Sequence, residues 1–197
     1  MAEAFVTQLT TICPVYYVNG NHEFRMKINP DIYGDAYETY KESLERAGVV
    51  FLENNSIELP CGKLSLKVSG LEIPKECYKK FKKTELLIEE ITHRIGFAEP
   101  NKFHVLLAHN PIYAELYRAW GADLVLSGHL HGGVVRIPFV GGVISPQIRL
   151  FPKYSGEYKK VGNTSIVVSK GLGTHTMKVR FNNPAEIIVL HMKGETK

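Results

Sequence analysis

Ser127-Gly128-His129-Leu130-His131-Gly132-Gly133 sets two histidines one residue apart with glycines on both sides. It follows an apolar run, Leu124-Val125-Leu126, so a strand ends there in a tight turn with an exposed backbone. If the chain is still extended at the histidines, residues i and i+2 project the same way, and His129 and His131 lean into one cleft. Imidazole is a common ligand of divalent metals, and glycine lets the backbone approach a ligand closely. Taken alone, the stretch reads equally well as two surface histidines in a glycine loop.

Two more apolar strands end in comparable turns. Val15-Tyr16-Tyr17-Val18 runs into the polar turn Asn19-Gly20-Asn21-His22-Glu23, and Phe103-His104-Val105-Leu106-Leu107-Ala108 runs into His109-Asn110-Pro111. In layered α/β proteins, ligands collect in the loops beyond one end of the strands. Three such ends carrying Asn and His make a coherent metal-site hypothesis. Imidazole nitrogens and an amide oxygen suit a borderline or fairly hard divalent ion such as Zn, Mn or Fe. The joint pattern is far more specific than any of its parts.

The intervening sequence fits an α/β chain. Ala4, Phe5, Leu9 and Ile12 give a short amphipathic helix that Pro14 ends. A helix spans Asp35 to Ala47 with Gly48 as its cap, and Val49 to Leu52 is a strand. Ser56 to Leu59 and Leu64 to Leu71 form a hairpin across Pro60-Cys61-Gly62-Lys63. Lys75 to Ile95 is helical by pattern, and the nearly all-apolar Phe103 to Ala108 is a strand buried in mid-sheet. A short helix covers Tyr113 to Trp120, and Ser165 to Ser169 and Ala185 to His191 are further strands. Gly133 to Gly156 is a long Gly/Pro-rich loop of the kind that often carries specificity.

The 197 residues, 44% hydrophobic and 22% charged, suit a single unit over 1–197 of ordinary globular composition. A net charge of +4 is too small and too dispersed for a nucleic-acid surface. The basic run Lys75 to Lys83 reads as the solvated face of a helix. Cys13, Cys61 and Cys77 lie far apart and form no ligand spacing, so they read as reduced packing residues. No apolar run approaches the ~18 residues of a membrane span. No signal peptide is visible, so a cytoplasmic location is expected unless a preceding segment carries an anchor or export signal.

Gly20-Asn21-His22-Glu23, His109 after a strand, and Gly128-His129-Leu130-His131 together resemble the calcineurin-like metallophosphoesterases, whose motifs run DxH, GDxxD, GNH[D/E], H, GHxH. The Ile137-Pro138-Phe139 and Leu150-Phe151-Pro152 segments, Lys170-Gly171-Leu172-Gly173-Thr174 and Arg180-Phe181-Asn182-Asn183-Pro184-Ala185-Glu186-Ile187 are similar to a bacterial branch of that family. The resemblance runs from about Cys13 to the end. It implies an αββα four-layer sandwich and a dinuclear centre, in which two divalent metals about 3.5–4 Å apart clamp a phosphate and a metal-bound hydroxide attacks in line. It further implies that Asn21, His109 and His129 ligate the second metal and His131 the first. His22 would sit over the phosphoryl group as stabiliser or leaving-group acid, with Glu23 orienting it. The implied substrates are phosphoric esters or pyrophosphates, on a phosphorylated small molecule or a lipid-linked phosphate.

In that family DxH and GDxxD stand upstream of GNH[D/E], and they supply the bridging Asp and the other ligands of the first metal. Here only about a helix and a strand precede Gly20. The expectation is therefore an N-terminally truncated sandwich with half a centre and negligible phosphatase activity. A partner chain carrying the missing N-terminal half would restore a split enzyme. A non-catalytic metal-binding or interaction protein using an exposed sheet edge is the alternative. Within the chain, Gly34-Asp35 reads as a helix start capped by Asp35, Asp123 as a strand-start residue and Asp31 as turn chemistry. His104 reads as a core residue, and His93 and His191 as solvent-facing. His175 stands in a glycine loop that the resemblance puts near the cleft, where substrate contact is open. Lys153, Lys170 and Arg180 are cations equally suited to a phosphate or to the surface.

Overall fold

Side-chain alternation along the central strands separates the molecule into layers. The computed structural model describes residues 2–62, 64–79, 84–133, 136–137, 141–142, 152–173 and 180–193. Helix α1 (Ala2–Leu9), strand β1 (Val15–Tyr17), helices α2 (Asn21–Lys27), α3 (Pro30–Tyr33) and α4 (Ala36–Arg46), and strand β2 (Val49–Phe51) come first. Strands β3 (Asn55–Cys61) and β4 (Leu64–Leu71), helix α5 (Ile88–Ile95), β5 (Phe103–Ala108), α6 (Ala114–Trp120) and β6 (Leu124–Ser127) follow. A short pair, β7 (Arg136–Ile137) and β8 (Gly141–Gly142), precedes the hairpin β9 (Tyr158–Val161) and β10 (Thr164–Val168).

Six strands form one sheet in the order β3-β4-β5-β6-β10-β9. Its four middle strands run parallel, and β3 and β9 flank them antiparallel. β1 and β2 pair in parallel as a second sheet. Leu106, Ala108, Val125, Ile166 and Val168 point to one face of the large sheet and pack with Ile91 and Ile95 of α5 and Tyr117 and Trp120 of α6. Their neighbours in sequence, Val105, Leu124 and Val167, point to the other face and meet Leu52 and Tyr16 from the small sheet. The far side of the small sheet buries Val49 and Phe51 against Leu44 of α4, with Val6 of α1 packed alongside. Three apolar interfaces thus separate four layers, helix, sheet, sheet, helix, as the sequence led us to expect. No helix among the described residues is long and apolar enough to cross a membrane.

The large sheet closely approaches the chain after β2 at Gly70 of β4. A Cβ there would lie 2.2 Å from the Leu52 carbonyl oxygen and 2.4 Å from Leu52 Cβ. At the carboxyl ends of the strands the sheets are tied by a buried polar network. Asn19, after β1, is 2% exposed, and its Nδ2 lies 2.7 Å from Tyr37 Oη, 2.7 Å from Glu72 Oε1 and 3.1 Å from Glu53 Oε1. Lys27 Nζ donates to Glu53 at 2.6 Å and to Glu72 at 2.8 Å, and Lys41 also donates to Glu53. Burial pushes the Glu53 carboxyl up, but hydrogen bonds from Lys27, Lys41 and Tyr37 outweigh it and hold the group at about 2.

Several expectations are corrected. Lys75–Tyr78 is a 3-10 turn after Pro74, and the α-helix starts only at Ile88, where Glu90 caps the Leu87 amide at 2.9 Å. Residues 80–83 of the basic run lie outside the described residues. Ala185 to His191 is not a strand, and Ile187, Val189, Leu190 and Met192 stand exposed there. Strand β9 was not expected; the Gly162-Asn163 turn between it and β10 is its sequence signal. Asp35 occupies the N-cap of α4 but makes no side-chain cap bond. Cys77 packs in the core, whereas Cys13 and Cys61 are exposed. His104 is buried as expected, with Nε2 taking the Glu99 amide at 2.7 Å, and Asp123 accepts the His104 amide at the start of β6.

Because backbone sits where a side chain would go, Gly70→Ala must push the sheets apart. It is expected to cost about 2–4 kcal/mol, within the range of severe core overpacking. Urea denaturation would measure it, and a loss under 0.5 kcal/mol, the size of an ordinary surface change, would rule out the close approach at Gly70.

Candidate metal centre

The proposed ligands all stand just past the carboxyl ends of parallel strands. Asn21 opens α2 four residues after β1 ends at Tyr17; His109 follows Ala108 directly; His129 comes two residues after Ser127. The turn at Asn19 to Glu23 is thus a helix start, with Gly20 as its cap. Gly20 has an ordinary φ of −79°. Its missing side chain serves space: a Cβ would lie 3.1 Å from His109 Cε1.

Asn21 Oδ1 is the focus. His109 Nε2 lies 3.2 Å from it and His129 Nδ1 lies 3.0 Å from it, and the two imidazoles meet edge to face at 5.2 Å. These are hydrogen-bond spacings. They are also the spacings of neighbouring ligands on one ion, since two bonds of about 2.1 Å at a right angle leave donors about 3.0 Å apart. Burial, then the nearby His131 and His22, pulls His109 down to about 4. At neutral pH its imidazole is therefore uncharged and keeps a lone pair to donate. The donor set fits a divalent ion in chemistry and spacing.

The sequence residues fall into two groups. Asn21, His109 and His129 converge. His131 acts electrostatically on His109 and has Nδ1 3.2 Å from the Gly173 carbonyl, and no three His, Cys, Asp or Glu side chains form a metal-sized cluster among the described residues. His22 is exposed on the rim, close enough to act electrostatically on His109. Glu23, the residue expected to orient His22, accepts the Gly20 amide with its carboxylate at 3.1 Å and so braces the start of α2.

The extended geometry expected at the two histidines is corrected. His129 has φ 64° and His131 φ 47°, with Gly132 and Gly133 also left-handed at 74° and 85°. Leu130 lies between them, 1% exposed, with its amide bonded to Gly128 O and its carbonyl to the Gly133 amide, each at 2.7 Å. A tight turn anchored by one buried leucine, not strand alternation, presents the imidazoles. Left-handed φ in a bulky non-glycine residue is a strained state of the kind that collects at functional sites.

Tyr78 is the residue the sequence reading missed. Its ring packs edge-on to His129 at 5.2 Å and lies 6.3 Å from His109, walling both imidazoles. Only the tertiary fold brings it there. The cations Lys153, Lys170 and Arg180 have structural partners: Glu115, Glu186, and the carbonyls of Lys170, Gly171 and Gly173. His175 and most of the Gly133 to Gly156 loop lie outside the described residues.

A four-layer α/β sandwich whose strand ends gather an amide oxygen and imidazoles is the architecture of a metallophosphoesterase, and the chain belongs to the calcineurin-like phosphoesterase family, whose profile matches residues 1–133. It is similar to YkuE of Bacillus subtilis, an uncharacterized metallophosphoesterase, at 36% identity over 92 residues, 47% of this chain and 32% of YkuE. It is similar to the phosphodiesterase YaeI of Escherichia coli at 33% over 95 residues, 48% of this chain and 34% of YaeI. An uncharacterized metallophosphoesterase of Aquifex aeolicus is 28% identical over 181 residues, 91% of this chain and 61% of that protein. The chain thus spans less than two thirds of the length of each. No solved structure matches significantly.

The depressed His109 value makes folding stability pH-dependent. The unfolded imidazole takes a proton near its ordinary 6.5, the folded one only near 4, so the unfolded state binds more protons in that window. This contribution is complete above about pH 6.5 and is lost as pH falls toward 4, by up to about 1.4 kcal/mol per unit. Urea midpoints across that range should drop less steeply in His109→Asn than in the parent chain. Equal slopes would show that His109 is not held neutral.

Proposed function

We propose that Asn21, His109 and His129 hold one divalent ion, Mn, Fe or Zn, as one half of a phosphoesterase centre. The observation that carries this reading is the convergence of two imidazole nitrogens on Asn21 Oδ1 from positions 88 and 108 residues away in the chain. In such a centre a bound ion supplies Lewis acidity to a phosphoryl oxygen and lowers the pKa of water. The chain's own residues do the rest. Tyr78 packs against both imidazoles, the buried Leu130 anchors the turn that carries His129, and the uncharged His109 has a lone pair to offer an ion. His22, exposed on the rim, is placed to stabilise charge on a phosphoryl group or protonate a leaving oxygen. His131 would serve as a ligand of the other ion in a two-metal centre. The substrate class is a phosphoric mono- or diester, since the similar YaeI is named a phosphodiesterase; a lipid-linked phosphate is one form it could take.

A second reading is favoured by the donor set itself. Its donors are one amide oxygen and two imidazoles, and no carboxylate joins them among the described residues. With Ile187, Val189, Leu190 and Met192 exposed, this fits a metal-binding interaction protein, or a half-site that a partner chain bearing carboxylates completes.

Calorimetric titration of the full chain with Mn2+ or Zn2+ separates these. About one equivalent should bind, and Asn21→Ala and His109→Ala should each weaken it at least tenfold. An ion that binds the parent and both variants alike removes this centre. Turnover of bis-p-nitrophenyl phosphate should stay near background for the chain alone; metal-dependent turnover lost in His22→Ala would overturn the half-site and leave a working enzyme.

A further inference from the structure

His131 is presented by neither a strand nor a helix. It lies four residues beyond β6 in a left-handed conformation, φ 47°, which a side-chain-bearing residue keeps only when its surroundings hold it. What holds it comes from 52 residues downstream. Asn183, 2% exposed, donates Nδ2 to the His131 carbonyl at 2.5 Å and to the Gly133 carbonyl at 2.8 Å. Its carboxamide fills the space beside Gly132, where a Cβ would lie 2.3 Å from Asn183 Oδ1. One side chain thus grips both ends of the turn and requires the glycine between them.

The imidazole is fixed separately. His131 Nδ1 faces Gly173 O at 3.2 Å. A carbonyl oxygen only accepts, so Nδ1 carries the proton and the lone pair belongs to Nε2. Arg180 fixes that carbonyl in turn, donating Nη2 to Gly173 O, to Lys170 O at 2.8 Å and to Gly171 O at 3.1 Å. The segment is pinned by Glu186, which accepts the Lys170 amide at 2.9 Å and pairs with its ammonium at 2.8 Å.

We infer that Asn183 and Arg180 are positioning residues for His131: Asn183 sets the backbone of the turn, and Arg180 sets the Gly173 carbonyl that holds the imidazole in its Nδ1–H tautomer, with Nε2 the donor atom. What Nε2 then donates to rests on the phosphoesterase reading; the tautomer does not. A hydrogen-bonded partner on the second ring nitrogen is the usual way a protein selects which nitrogen of a histidine serves a metal. Here the selecting carbonyl is itself held by an arginine from another part of the chain.

The test is a long-range 1H–15N correlation spectrum of the full chain with 15N-labelled histidine. In the parent, His131 should show a protonated Nδ1 and an unprotonated Nε2. Arg180→Lys, which keeps the charge but cannot span three carbonyls, should turn this into a tautomer mixture, and Asn183→Ser should do so more strongly. Histidines far from the turn, such as His93, should keep their signals and so report an intact fold. Zn2+ added to each sample should shift the His109 and His129 signals in parent and variants alike. If Zn2+ shifts nothing in the parent, the metal reading fails while the tautomer result still stands. If the parent His131 is protonated at Nε2, or both folded variants keep the parent pattern, the positioning role is overturned.

Discussion

The geometry of the cleft depends on one buried amide. Asn19 stands where β1 ends and reaches Glu53 at the end of β2, Glu72 at the end of β4 and the Tyr37 hydroxyl on α4. Two carboxylates brought together out of water would repel strongly, and Lys27 between them offsets that. The arrangement sets how far the small sheet stands from the large one at this rim, as Gly70 does deeper in the interface. Asn21 follows two residues later on the small-sheet side, whereas His109 and His129 come from the large sheet. The three can meet only if that spacing is right. The polar network and the Asn21, His109 and His129 cluster are consecutive parts of one construction.

Much of the fold was legible because its interior strands announce themselves by composition. Phe103 to Ala108 and Leu124 to Ser127 are apolar on both faces, as parallel strands covered on both sides must be. Helix α4 showed its buried Tyr37 and Leu44 by spacing and its end by Gly48, whose φ is 94°. Misreadings arose where a local pattern had no tertiary support. Lys75 to Ile95 has helical spacing, but its start is a 3-10 turn after Pro74 and the α-helix begins only at Ile88. Ala185 to His191 has strand composition, yet a strand exists only when another pairs with it, which local sequence does not report. Strand β9 has the reverse character: Tyr158-Lys159-Lys160-Val161 is polar for a strand and is made one by its hairpin with β10.

The site divides the same way. Asn21, His109 and His129 were visible as polar residues closing apolar strands, because strand ends at one rim of a parallel sheet are neighbours by construction. Their supports were not visible. Tyr78 reaches the imidazoles only through the 3-10 turn after β4, and Asn183 only from 52 residues downstream, a separation that carries no periodic signal. The left-handed backbone at His129 and His131 was equally hidden, since the strand pattern before them suggested an extended chain.

The long sequence separations within the cluster have a thermodynamic meaning. Asn21 and His109 are 88 residues apart, and Asn21 and His129 are 108 apart. An unfolded chain offers no such chelate, so any ion taken up there binds the native state alone. Its binding free energy is then also a contribution to folding, about 2.7 kcal/mol at a free concentration one hundred times the dissociation constant. Were an ion held there as proposed, metal supply and resistance to unfolding would become, for this chain, a single linked variable.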